Sequence, residues 1–272
     1  MLKKRVIPVL LLRDGYLVQS KGFSRHQKIG NAFWAVRRMS EWGADELIYL
    51  DITADGKHDA KRDDLAHGNP ASTVEILRQM STYAFMPITV GGGIRTLADI
   101  EQRLKWGADK VSVNSLLATD PERVREAAEE FGTQCIVASI DSAEIDGVHV
   151  ALTHGGRSTT GIDTVAWARS AEQLGVGEIL LNAIDRDGRQ CGFDIELIDK
   201  VSASVTVPVI ALGGAGDWFD LEEVLSDTQA SAVAAANLFH YRDQSVYLAK
   251  QYLFEKGYAV RKPEFQHIPR IE

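Results

Sequence analysis

Short apolar, β-branched runs alternate with longer amphipathic segments along the whole chain, and this alternation constrains the fold more than any other feature. Strands are expected at 5–11, 46–51, 86–90, 109–113, 135–140, 177–182, 207–211 and 230–234. Helices are expected near 31–42, 70–82, 96–106, 120–131, 162–174, 194–203, 218–225 and 244–256. The strand runs lack polar alternation, so both of their faces must be covered, as in a parallel sheet under helices. The punctuation agrees. Asp120-Pro121 supplies an N-cap and a first-turn proline, and EWGADE, KWGADK and QLGVGE place glycine between a helix and the next strand.

Eight βα units fit a closed (β/α)8 barrel or a doubly wound open sheet, and an internal repeat favours closure. ELIYLDITADG (46–56) lies over EILLNAIDRDG (178–188), MPITVGGGIRTLADI (86–100) over VPVIALGGAGDWFDL (207–221), and VIPVLL (6–11) over IVASID (136–141). A half of four units copied once gives eight. The expected organisation is a barrel over 1–260, with halves of about 1–132 and 133–260, and an extension over 261–272. The charged segment 55–72 reads as a solvated loop, with a lid or partner surface as its functional alternative.

Bulk composition narrows the function. A net charge of −8 opposes non-specific nucleic-acid binding but permits a local pocket for a small phosphorylated ligand. The two cysteines have no metal-ligand spacing, and Cys135, in an apolar run, is expected to be a reduced core residue. No histidine forms a metal-spaced pair, so neither a metal nor another cofactor is expected. The apolar run in MLKKRVIPVLLL is short and lacks a cleavage site, and no run approaches the ~20 residues of a membrane span. The expected location is cytoplasmic, without a membrane.

In such barrels chemistry sits at the C-terminal ends of the strands. Two glycine turns stand there, Gly91-Gly92-Gly93 and Gly213-Gly214 with Gly216. Each is followed one strand later by small or amide residues, Asn114-Ser115 and Ala236-Asn237. Glycines admit backbone amides close to a phosphate, so the pair implies a ligand with anionic groups on opposite sides of the mouth. Asp51, Asp55, Asp141, Asp185 and Asp187 are the acid–base candidates, with Asp141 foremost because it ends the fifth strand. The repeat places Leu11 opposite it. At the other end Arg5, Glu46, Lys110 and Glu178 open strands one, two, four and six. Facing inward, they would form a ring of ion pairs, either a structural network or a gate.

These residues resemble the HisF family, the cyclase subunits of imidazole glycerol phosphate synthase. DELIYLDIT, TVGGGIRT, GADKVSVNS, GEILLNAIDRDG and GGAG carry the resemblance over roughly 1–260. It implies a barrel that receives ammonia at its N-terminal face from a glutaminase subunit and passes it to a bisphosphate at the top. It implies a gate at Arg5, Glu46, Lys110 and Glu178, and a partner contact at Asp109. It implies phosphate binding by Gly92, Gly93, Gly213, Gly214, Asn114, Ser115, Asp187, Gly188, Ala236 and Asn237, and catalysis by Asp141. The family's other aspartate falls at Leu11, where its first strand usually reads CLDVKDG and this chain reads VLLLRDG. Gln19, Asn182, Leu212 and Asn237 also depart from the usual residues. The pattern looks like the WbuZ-like branch, which implies conversion of an acetamido to an acetamidino sugar with a glutaminase and a third, activating protein. The alternatives are a cyclase using Asp14 or Asp51, and a conduit that performs no chemistry.

Overall fold

The computed structural model describes residues 2–53, 78 and 84–267. The polar segment 55–72 and, apart from residue 78, the helix expected over 70–82 lie outside the described residues. So does the end of the extension.

The described strands are β1 (Arg5–Arg13), β2 (Tyr16–Lys21), β3 (Arg25–Gly30), β4 (Leu47–Asp51), β5 (Ile88–Gly91), β6 (Lys110–Val113), β7 (Ile136–Ile145), β8 (Val148–Thr153), β9 (Ser158–Asp163), β10 (Glu178–Ala183), β11 (Val209–Leu212) and β12 (Ala232–Ala235). Eight of them, β1, β4, β5, β6, β7, β10, β11 and β12, pair in parallel in that order, and β12 pairs back to β1. The sheet is therefore closed, with helices between its strands. This is a (β/α)8 barrel, as the alternation and the repeat require.

Side-chain parity divides each strand between two cores. Ile7, Val9 and Leu11 point into the barrel with Ile48, Val137, Leu180, Ile210, Leu212, Ala232 and Ala234. Their neighbours Val6, Leu10, Leu12, Leu47, Tyr49, Val90, Val111, Ala138 and Leu181 point outward into the layer under the helices. Burial on both faces is why the strands read as unbroken apolar runs. The helix ends follow local chemistry. Asn31 caps Ala32–Glu41, Asp120 caps Pro121–Phe131 with proline in the first turn, and Asp163 caps Thr164–Gln173.

Two hairpins add to the barrel at matching steps. β2 and β3 extend β1, with Leu11 opposite Val18, while β8 and β9 extend β7, with Asp141 opposite Leu152. Their outer strands RHQKIG and STTGID are mostly exposed and polar, so no apolar period announces them.

One expectation needs correction. Cys135 is half-buried in a 3-10 turn before β7, because the core begins one residue later at Ile136. The described part of the extension lies against the barrel's outer helices: Phe265 stacks on Tyr247 at 4.2 Å, and Gln266 N donates to Glu41 O at 2.9 Å.

Candidate functional site

The N-terminal end of the barrel is closed by charge. Arg5, Glu46, Lys110 and Glu178 share the inward parity of their strands and meet in one ring. Arg5 bridges Glu46 at 2.7 Å and Glu178 at 2.6 Å, and Lys110 bridges the same two carboxylates at 3.1 and 2.8 Å. Each cation thus holds both anions. Burial disfavours the Arg5 cation, but Glu178 and Glu46 outweigh it and raise its pKa. Ile7, Val9, Ile48, Val137, Leu180 and Ile210 lie inside the barrel beyond the ring. The ring is the one polar closure that this apolar interior meets at its lower end among the described residues.

Asp109 lies on the same rim and is exposed, yet its carboxylate also has an internal task. Its Oδ2 accepts from Ile88 N at 2.8 Å, as Asp45 Oδ2 accepts from Val6 N at 2.9 Å. Both aspartates end a Gly-Ala-Asp sequence, at 43–45 and 107–109, and each fastens the start of its neighbouring strand. Asp45 also holds the buried Lys250 at 2.6 Å.

At the C-terminal end the inward positions form a two-sided floor. Leu212 on β11, Ala236 after β12, Leu11 on β1 and Leu50 on β4 make one apolar arc. Asn114 after β6, Asp141 on β7 and Asn182 on β10 make the other. Asp141 is buried and shares the inward parity of Val137, which settles its orientation. Its Oδ1 accepts from Asn182 Nδ2 at 3.1 Å, and its Oδ2 from Asn114 Nδ2 at 3.4 Å. Burial raises the Asp141 pKa to about 6; the Asn182 hydrogen bond works against this, and the charge of Asp187 adds to it. A carboxyl poised there can exchange a proton near neutral pH.

The other aspartates divide differently. Asp51 has the outward parity of β4, and its Oδ1 accepts from Thr53 N at 3.0 Å. Asp14 sits in the β1–β2 turn at φ 52°, half-exposed beside Arg13. Asp185 accepts from Glu144 N at 2.7 Å. Asp187 accepts from Ser20 Oγ at 2.6 Å and from Phe23 N at 3.1 Å, so it fastens the β2–β3 hairpin over the mouth. Asp55 lies outside the described residues.

The glycine turns stand where expected, beside Asn114-Ser115 and Ala236-Asn237. Gly92 has φ 103°, and a side chain there would collide with Asp51 O. The helices that follow the turns open with capping boxes, Thr96 with Asp99 and Asp217 with Asp220, which set a carboxylate at the start of each. Ser115 Oγ accepts from His154 N at 3.0 Å, which brings the β8–β9 turn against it. His240, at the end of the turn after β12, has both ring nitrogens buried, and desolvation together with the Arg38 cation lowers its pKa to about 4.

Sequence reasoning noted Asn182 only as a departure and missed Ser20, Leu50 and Arg103. Arg103 is buried and donates to Gly92 O at 3.0 Å. An arginine on the apolar face of an otherwise amphipathic helix was the available signal.

Comparison with known proteins agrees with this geometry. The family described as "Histidine biosynthesis protein" matches residues 5–245. The chain is 41% identical over 263 residues to "Imidazole glycerol phosphate synthase subunit HisF" of Streptococcus mutans, covering 96% of this chain and 100% of that one. It is 44% identical over 261 residues to the protein of that name from Dehalococcoides mccartyi strain BAV1, covering 96% and 99%. With a closed barrel, a charged ring at one end and a carboxylate at the other, the chain belongs to the HisF family of histidine biosynthesis proteins.

Proposed function

We propose that this barrel is the synthase subunit of a two-component glutamine amidotransferase. Ammonia from a HisH-like glutaminase enters at the N-terminal face, near Asp109. It passes the Arg5–Glu46–Lys110–Glu178 ring as a gate and reaches a small anionic acceptor at the mouth. Asp141 is the proton-transfer group there. The acceptor differs from the histidine intermediate: an acetamido sugar is converted to an acetamidino sugar for surface polysaccharide, with a third protein activating the amide oxygen for departure.

The single observation that carries the reading is the pairing of an intact charged ring with a barrel whose described strands turn one carboxylate, Asp141, inward at the mouth. A positioned general acid or base is worth roughly 10²–10⁴-fold in rate, and Leu11 can supply none. The competing reading, a cyclase of the histidine pathway, draws on the full-length identity to HisF subunits. It needs a second carboxylate. Asp51 points away from the axis and Asp14 lies in the turn beyond the strand, so neither stands in for Leu11.

The test is turnover of the histidine-pathway bisphosphate with ammonium salt. Little or no imidazole glycerol phosphate is expected, alongside activation of the cognate glutaminase. Robust turnover that Asp141→Asn abolishes would establish the cyclase instead.

A further inference from the structure

The two glycine turns make opposite demands on a ligand. We infer that the mouth holds its acceptor by one anionic group, at Gly92–Gly93 and Ser115, while the Gly213–Gly214 end takes an uncharged part bearing hydroxyl or amide N–H groups. This rests on the reading above that the acceptor binds at the mouth, and it specifies the acceptor's shape.

The strands flanking the second turn each present a buried acceptor without a partner. Asn182 Oδ1 and Asn237 Oδ1 make no hydrogen bond. Both amides are held in that orientation by their nitrogens: Asn182 Nδ2 donates to Asp141 Oδ1 at 3.1 Å, and Asn237 Nδ2 to Ser20 O at 2.6 Å. Flipping either would set oxygen against oxygen. The unmet demand at this end is thus for donors. A phosphate oxygen brings lone pairs and negative charge, which two orphan carbonyls repel, whereas a hydroxyl or amide N–H satisfies them. Leu212 and Ala236 border the same place with apolar surface, which suits a carbon framework.

The first turn differs by one buried arginine. Arg103 Nη2 donates to Gly92 O, polarising the peptide whose other end is the Gly93 N–H and making that amide a stronger donor. The offset that lays 86–100 over 207–221 puts Val224 where Arg103 stands, and Val224 is fully buried. The second turn therefore lacks this cation although its capping carboxylates Asp217 and Asp220 remain. The amide groups also differ: Asn114 Nδ2 and Oδ1 both have protein partners.

The experiment is amide NMR of the full chain, titrated first with inorganic phosphate and then with an N-acetylhexosamine 1-phosphate. Phosphate is expected to shift Gly93, Asn114 and Ser115 saturably and to leave Gly214, Ala236 and Asn237 in place. The sugar phosphate is expected to shift both groups, and Asn182→Leu to weaken it about tenfold. The phosphate shifts at Gly93 report that this variant is folded. Comparable phosphate binding at Gly214 and Asn237 overturns the inference, as does a sugar phosphate that perturbs the first turn alone. No saturable shift at either turn removes the mouth as an acceptor site, and the proposed function falls with it.

Discussion

Leu11 and Asp141 hold corresponding positions in the barrel. Leu11 pairs with Leu50 of the next barrel strand and with Val18 of its hairpin, and Asp141 pairs with Asn182 and with Leu152. Both side chains point to the axis at the level of the mouth. One is surrounded by carbon and the other by two amides, so the difference extends beyond the two residues to the arcs in which they stand.

Leu11→Asp therefore does not simply restore a pair. The new carboxylate would replace a buried side chain that shares an apolar cluster with Val18, Leu50 and Leu212. Its charged form would be disfavoured, and the expected loss of stability at neutral pH is roughly 3 kcal/mol. Because its folded pKa would lie above the unfolded value, the loss should grow as pH rises from 5 to 8. Urea unfolding of both proteins at the two pH values measures it; a loss independent of pH would place Leu11 in water.

The charged ring is expected to behave as one unit. Arg5→Ala leaves Glu46 and Glu178, both nearly buried, sharing Lys110 alone, which should cost roughly 3 kcal/mol. Adding Glu178→Gln should return about half of that, because the excess anion is then gone. Denaturant midpoints of the two variants decide this, and an additive double mutant would mean that the four charges act independently.

Much of this architecture was legible beforehand, for identifiable reasons. Strands buried on both faces leave unbroken apolar runs, and the residues opening them are few enough that Arg5, Glu46, Lys110 and Glu178 suggest a ring. The hairpins were not legible, because Arg25–Gly30 and Ser158–Asp163 are exposed polar strands that show no apolar period. Nor was the difference between the glycine turns, which depends on which atom of Asn182 and Asn237 is already engaged. The direction of an amide is a property of its surroundings and leaves no mark in composition or spacing.

The β2–β3 hairpin should be held over the mouth by a close backbone approach at Gly188. This residue has φ 62°, and a side chain on it would collide with Ser20 O while crowding Asn237 Nδ2. Gly188→Ala should lower stability by about 2 kcal/mol or more and speed amide exchange at Phe23, whose N–H Asp187 now holds. The comparison is Gly155→Ala, at φ 67° with open space around it, where about 1 kcal/mol of backbone strain is the whole effect. Equal exchange at Phe23 in the two variants would detach the hairpin from Gly188.

Asp141 makes its own contribution to the pH dependence of stability. Its folded pKa of about 6 lies above the 3.8 of an unperturbed aspartate, so between those values the folded chain binds more protons than the unfolded one. Stability from this group must then fall as pH rises through the window and stay flat above it, a change of roughly 3 kcal/mol. Asp141→Asn keeps an oxygen for Asn182 Nδ2 but never ionises. The variant should match the natural chain near pH 4 and exceed its stability near pH 7.5, as urea unfolding at both pH values would register. Such a gain on removing the carboxylate would identify it as a group kept at a cost to the fold, as a proton-transfer residue in an apolar mouth should be. A variant less stable at both pH values would instead make Asp141 a structural partner of Asn114 and Asn182.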